Sequence, residues 1–299
     1  MSKHAYLIVA NGNFTVVETC LRMIDDERND VYLLLDKKTK LSKEQEARLC
    51  DCLTHARYHL SRMVVNWGGW SQIAAVLKLL HLALDSGNTY DYLHFLQGSD
   101  LPIRGQNEIH AFFDAHAGTE FVQIEKGRTA MAERKAWYRH FFCHNRFFRK
   151  NKLIKACNFG VMELQKLLHI RKNKDIALYQ GSALFSITGE CAKYVLSREK
   201  EIRKRFRLSL AADEVFLQSI LMASEYRDRI CDVALDISEN ARLIDRTRPD
   251  GKNSPHVWRK EELTTLLNAP ATKMFARKFD ERIDANIVSD VCKEVCCHE

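Results

Sequence analysis

Apolar runs alternate with amphipathic ones through the first 130 residues of the chain. "AYLIVA" (5–10) is apolar throughout, and "VYLLLD" (31–36) stays apolar up to its final acid, so each is read as a strand buried on both faces. Residues 14–27 carry apolar positions at helical spacing. A polar helix is expected over 42–53, a short strand at "RMVVNW" (62–67), a strongly apolar helix over "WSQIAAVLKLLHLAL" (70–84) and a further strand at "YLHFLQ" (92–97). Continuous apolar strands alternating with helices predict an α/β fold with a mostly parallel central sheet and helices on both faces. In such sheets ligands bind beyond the carboxyl ends of the strands. Those ends hold Asn11, Gly12 and Asn13, then Asp36, Lys37 and Lys38, then "NWGGWS", then "QGSD". They make a plausible nucleotide pocket, although neither a dinucleotide fingerprint nor a P-loop is present.

Composition narrows the class. The 299 residues, 46% of them hydrophobic, suffice for one large domain or two fused ones, and four prolines with twelve glycines argue against long linkers. No stretch reaches membrane-spanning length. The ten cysteines are scattered, mostly in apolar segments, and are read as reduced thiols of a cytoplasmic protein. The tail "CKEVCCHE" lacks the paired spacing of a structural zinc site and is read as a fraying helix. Charge is uneven. Residues 131–178 hold 12 Lys/Arg against 3 Asp/Glu, a local net of +9 within a total of +7. There "RHFFCHNRFFRKNKLIKACNFG" interleaves cations with aromatics. A solvated basic helix with its phenylalanines facing the core is the first expectation. Contact of Phe141, Phe142, Phe147 and Phe148 with an anionic membrane surface is the second, and nucleic acid the third.

"SLAADEVFLQSIL" (209–221) places Asp213 and Glu214 ahead of apolar residues at helical spacing. By itself this is a complete helix start, with an acidic cap and an acidic first turn.

The ordered set "AYLIVA", "VYLLLD", "VVNWGGWSQ", "YLHFLQGSDLPIR", "YQGSALFSIT", "AADEVFLQSIL" and "MFARKFD" resembles the core-2/I-branching glycosyltransferase family, which also includes the peptide O-xylosyltransferases. The resemblance implies a GT-A-like fold and one glycosyltransferase domain over 1–299. Within it, 1–130 would form the nucleotide-binding half and 131–178 a basic, aromatic-rich insertion. Residues 179–299 would hold the acceptor and catalytic half with a C-terminal diphosphate-binding segment. It further implies transfer of a sugar from a UDP-sugar to an acceptor hydroxyl with inversion, no bound metal and no cofactor. The sequence agrees with the last point, since strand ends "LLLDKK" and "GSD" lack an Asp-x-Asp pair.

Carried over residue by residue, the resemblance casts Glu214 as the catalytic base and leaves Asp213 as a structural cap. Val9, Asn11, Asp36 and Trp67 would contact the nucleoside, and Arg259 and Lys278 the diphosphate. Near Arg259, Lys260, Arg248 and Arg246 are alternatives. Asp100, Gly181, Ser182, Glu133, Arg134 and Arg139 would shape the donor and acceptor sugar sites, with Trp137 and Tyr138 as stacking surfaces or buried structural aromatics. "WGG" resembles the xylosyl branch and "WSQ" the acetylglucosaminyl branch, so N-acetylglucosamine is the first donor expected and xylose the second. The acceptor expected is a glycan or a lipid-linked polysaccharide intermediate. A compact cytoplasmic enzyme, peripheral at the inner membrane face through 139–155 and with no nucleic-acid partner, completes the expectation. A non-catalytic nucleotide- or glycan-binding module is the alternative of another class.

Overall fold

The computed structural model describes residues 2–125, 127–231, 239–248, 250 and 254–296. In chain order the elements begin β1 (His4–Ala10), α1 (Phe14–Met23), β2 (Asn29–Asp36), α2 (Lys43–Cys50), β3 (Arg57–Met63), α3 (Ser71–Leu84), β4 (Tyr92–Gln97), β5 (Asp100–Pro102) and α4 (Gln106–Ala115). Next come β6 (Phe121–Val122), α5 (Thr129–Ala136), α6 (Lys152–Leu167), β7 (Phe185–Thr188), α7 (Gly189–Ser197), α8 (Glu199–Phe206) and α9 (Phe216–Met222). The chain finishes with β8 (Arg242–Ile244), α10 (Leu263–Leu267), β9 (Phe275–Arg277) and α11 (Asn286–Cys296). Two compact units result: 1–62 with 89–117 and 241–299, and 63–88 with 118–240.

The first unit carries the mostly parallel sheet, in the order β3-β2-β1-β4. Strand β1 pairs in parallel with β2 from His4↔Asn29 to Ala10↔Leu35, and with β4 from His4↔Tyr92 to Val9↔Gln97. These strands are apolar at nearly every position because both faces are covered: Tyr6, Leu7, Leu33, Leu34, Leu93 and Leu96 are all fully buried. Helix α1 buries Val16, Val17, Cys20 and Leu21. Its N-terminal residue Asn13 sits in the left-handed region (φ 55) and forms no side-chain cap. The carboxylate of Glu281 takes over, accepting the amides of Thr15 (2.6 Å) and Val16 (3.3 Å). A smaller sheet in the order β5-β9-β8 sets β9 antiparallel to β5 and parallel to β8.

Expected elements match with shifted ends, and β3 is the largest shift. The expected strand at 62–67 lies instead at Arg57–Met63, where Arg57 and His59 are exposed and the other residues only half-buried. Such a strand has no apolar run to reveal it, and Val64 and Val65, which suggested one, follow it.

The second unit holds the antiparallel pair β6–β7, registered Phe121↔Ser186. Around the pair, Ile73, Leu77 and Leu80 of α3, Ile187 of β7, Val195 of α7, Phe206 of α8 and Leu217 and Leu221 of α9 are buried. Among the described residues no helix is long and apolar enough to cross a membrane. The tail residues Cys292 and Cys296 lie in α11, whereas Cys297 and His298 lie outside the described residues.

Candidate functional site

In the second unit, Ala212–Glu214 forms one turn of 3-10 helix and α9 starts only at Phe216. Neither turn has a side-chain cap. The expectation that Asp213 caps this helix is therefore corrected. Its Oδ2 accepts instead from Gln72 Nε2 at 2.8 Å, and its Oδ1 is enclosed. Burial, and then the neighbouring charge of Glu214, push the Asp213 carboxyl up to about 7, with Lys135 opposing both.

Glu214 is held asymmetrically. Lys135 Nζ donates to Oε2 in a short ion pair, and Gln180 Nε2 donates to the same oxygen at 3.1 Å. No hydrogen bond to Oε1 forms among the described residues. The backbone fixes the same place, because the Glu214 carbonyl accepts the Gly181 amide at 2.9 Å. Gly181 cannot be replaced sterically: an added Cβ would stand 1.8 Å from the Gln123 carbonyl oxygen. Ser182 is buried beside it, its carbonyl accepting from Gln218 Nε2 at 2.7 Å. Gly181, Ser182 and Glu214 thus come together in this unit.

The segment "MAERKAW" contributes differently from expectation. Lys135, which sequence reasoning passed over beside Glu133 and Arg134, is the residue that reaches Glu214. Arg134 is exposed, and its carbonyl accepts from His140 Nε2 at 3.1 Å. Arg139 is tied to α6 through its backbone, whose N–H and C=O both bond the Gln165 amide at 2.9 Å. Trp137 lies under the Arg171 guanidinium, 4.7 Å from the ring centre, and Tyr138 is buried. Trp67 is 50% exposed, with Arg149 stacked at 5.6 Å.

The basic stretch that follows is inverted relative to the first expectation. Phe148 faces the core, but Phe141, Phe142 and Phe147 are exposed. In α6 the polar Asn158 and Gln165 are buried while Leu153, Leu164 and Leu167 face outward.

In the first unit three chain segments meet beyond the carboxyl ends of β1 and β4. Asn13 Nδ2 donates to the Phe279 carbonyl (3.2 Å), and the Phe279 amide donates to the Ser99 carbonyl (2.9 Å). Asn11 is exposed there and Val9 half-buried. Asp100 is buried and fully engaged: Oδ1 takes Arg277 Nη1 at 2.6 Å, and Oδ2 takes the Gln97 amide at 2.8 Å. Arg277 Nη2 also donates to Gln97 Oε1 at 2.7 Å. Burial pushes the Asp100 carboxyl above its ordinary range against the pull of Arg277. Asp36 is buried at the end of β2 with Lys38 Nζ 3.2 Å away.

Backbone pairing joins the two C-terminal cation segments. The Trp258 amide donates to the Lys278 carbonyl at 3.0 Å, and Trp258 Nε1 to the Arg277 carbonyl at 3.0 Å. Arg259 therefore stands next to a residue paired with Lys278. Arg259 grips Asp250 through Nη2 (2.8 Å), which holds that carboxyl at about 2. His256 bridges Asp250 (3.0 Å) and Glu262 (2.7 Å), and Arg248 also reaches Glu262 (2.7 Å).

A family model for the Core-2/I-Branching enzyme matches residues 4–266, which include Glu214 and Arg259 and stop short of Lys278. No curated protein matches the chain. Among solved structures, mouse xyloside xylosyltransferase 1 in its apo form is similar at 11% identity over 76% of this chain and 83% of that one, with a TM-score of 0.39. Core-mannan synthase A from Aspergillus fumigatus, in an Mn/GDP form, is similar at 8% identity over 79% and 74%, with a TM-score of 0.40. The apo WbbM bifunctional glycosyltransferase is similar at 11% identity over 76% and 38%, with a TM-score of 0.40. The family match runs from β1 into α10 and takes in most of both units. The chain accordingly belongs to the Core-2/I-Branching enzyme family, and it is a glycosyltransferase with an α/β fold around a mostly parallel sheet.

Proposed function

We propose that the protein moves a sugar from a UDP-sugar to an acceptor hydroxyl, inverting the anomeric centre and using no divalent metal. N-acetylglucosamine is the proposed donor sugar, with xylose second, and a glycan or lipid-linked polysaccharide intermediate is the proposed acceptor. The observation that carries this reading is the asymmetry at Glu214. Lys135 and Gln180 both hold Oε2, and Oε1 is left to take a proton. In the proposed step Oε1 removes the acceptor's hydroxyl proton, the acceptor oxygen bonds the anomeric carbon, and the bond to UDP breaks on the opposite face. One carboxylate suffices because the nucleotide is already an activated leaving group. Arg259 and Lys278 are assigned to the charge that develops on the diphosphate, the task a metal performs elsewhere. Asp36, already paired with Lys38, supports the metal-free reading. Val9, Asn11 and Trp67 join Asp36 as the proposed nucleoside contacts. Asp100, Gly181, Ser182, Glu133, Arg134 and Arg139 are proposed to shape the sugar sites, Asp100 by ordering Gln97 and Arg277. A binding module without turnover would have no use for a carboxylate held in this way.

The test is a panel of UDP-sugars in EDTA, read by thermal stabilisation and transfer. Glu214→Gln should keep the stabilisation by UDP and lose about 10²–10⁴-fold in transfer rate. A variant with full activity would remove Glu214 from the role, and donor binding that requires Mn would remove the metal-free reading.

A second reading concerns location. Exposed Phe141, Phe142 and Phe147 beside a run of cations favour peripheral attachment to an anionic membrane face through 139–155. Sedimentation with anionic vesicles at low salt is expected. If the protein stays in the supernatant, that attachment is wrong.

A further inference from the structure

Helix α8 carries Lys200, Arg203, Lys204 and Arg207 at positions i, i+3, i+4 and i+7, counting the residue after its last turn. That spacing lines four cations along one exposed face, while Ile202 and Phe206 anchor the other in the core. Like charges four apart on a helix repel, so local stability does not account for the stripe. It lines a cavity of about 870 Å³ within the second unit, whose remaining wall includes Arg139 and Lys172.

The cavity's two acids do not neutralise these groups. Asp175 accepts both terminal nitrogens of Arg205 (2.9 and 2.8 Å), and Glu201 accepts Arg205 Nε (2.8 Å) while also pairing with Arg198. Among the described residues Lys172 Nζ donates to neutral oxygens alone, the Arg205 carbonyl (2.6 Å) and Ser209 Oγ (2.9 Å). The other six cations that line the cavity therefore have no carboxylate in ion-pair range among the described residues, and Arg203 lies over the Trp70 ring, 5.8 Å from its centre.

We propose that this cavity is a binding site for a compact, multiply charged phosphate group of the pyrophosphate type, distinct from the nucleotide residues assigned above. Guanidinium forks suit phosphate oxygens bidentately, and a lysine wall adds unspecific charge. Such a group could arrive free in solution or as the head of a lipid, and the chemistry of recognition is the same. Burial, reinforced by Arg139, brings Lys172 down to about 8. A bound anion reverses that shift, so Lys172 takes up a proton near this pH, while a pyrophosphate that still carries its last proton gives one up.

The experiment is calorimetric titration of the full chain with inorganic pyrophosphate at pH 8, in two buffers of different ionisation heat and in the presence of saturating UDP. Binding is expected, weakening as salt is raised, and the two buffers separate its heat from that of proton exchange. Lys204→Glu with Arg207→Glu should weaken it at least about tenfold while leaving the unfolding temperature and UDP affinity near wild type. Vesicles bearing phosphatidic acid form the second arm. Capture by vesicles that pyrophosphate displaces assigns the site to a lipid head, and pyrophosphate binding without capture assigns it to a soluble anion. Absence of binding in both arms, full affinity in the double variant, or complete displacement by UDP would overturn the proposal. So would a single-stranded oligonucleotide that binds the cavity more tightly than pyrophosphate. Because UDP binding is read separately, failure here leaves the transfer reading untouched.

Discussion

Asp213→Asn is the sharpest test of the carboxylate pair. Asparagine keeps the shape and can still accept the Gln72 amide, but it removes the charge that burial and Glu214 oppose. The folded state holds this carboxyl at about 7, against 3.8 for the unperturbed group. Because the folded value is raised, the native protein retains a proton that the unfolded chain has released. Stability therefore declines as pH climbs from about 4 to about 7 and levels off above. At 1.36 kcal/mol per pH unit the full effect is on the order of 4 kcal/mol, of which the stretch from pH 5 upward accounts for about 2–3 kcal/mol. Urea unfolding at pH 5 and pH 8 for both proteins measures it. The wild type should lose stability relative to the variant over that interval, leaving the asparagine protein the more stable at pH 8. Histidines and other groups titrate in both proteins and cancel in the comparison. A difference between the two that is flat with pH, or that favours the wild type as pH rises, would refute the account of a buried carboxyl forced to ionise beside Glu214.

Further predictions concern packing and the first unit. Gly181→Ala should destabilise by about 3 kcal/mol, since its methyl group meets the Gln123 carbonyl, and an unchanged melting temperature would contradict the close approach. Arg277→Met strands Asp100 in the interior and should cost about 3–5 kcal/mol at neutral pH. That deficit should shrink in acid, where Asp100 protonates, and Asp100→Asn on top of it should restore part of the loss.

Strand β4 was legible to the residue, because "YLHFLQ" is apolar on both faces and its ends are marked by turns. Strand β3 was not, since its alternation of Arg57, His59 and Ser61 with half-buried neighbours carries no apolar run. The Glu214 position was legible only through family resemblance. Its own segment looks like a helix start, and the turn of 3-10 helix that replaces a capped start depends on Gln72 and Lys135, distant in sequence. Lys135 was hidden by its neighbours: three charged residues in a row, Glu133 to Lys135, do not reveal which one turns inward. The exposed phenylalanines were misjudged because apolar residues in a helix-length segment are most often core, and the burial of Asn158 and Gln165 in α6 has no sequence signal of its own.

Glu281 and Phe279 bind residues near the other end of the chain, 266 positions away, and β9 is the middle strand of its sheet. During synthesis α1 therefore leaves the ribosome long before the carboxylate that satisfies its first amides exists. The first unit can form β1, β2 and β4 early, yet it closes only when residues 275–281 arrive. Long-range closure of this kind is slow, and it makes the last segment a checkpoint. A nascent chain stalled before Phe275 would hold its sheet open, with neither the central strand of the small sheet nor the segment bearing Lys278.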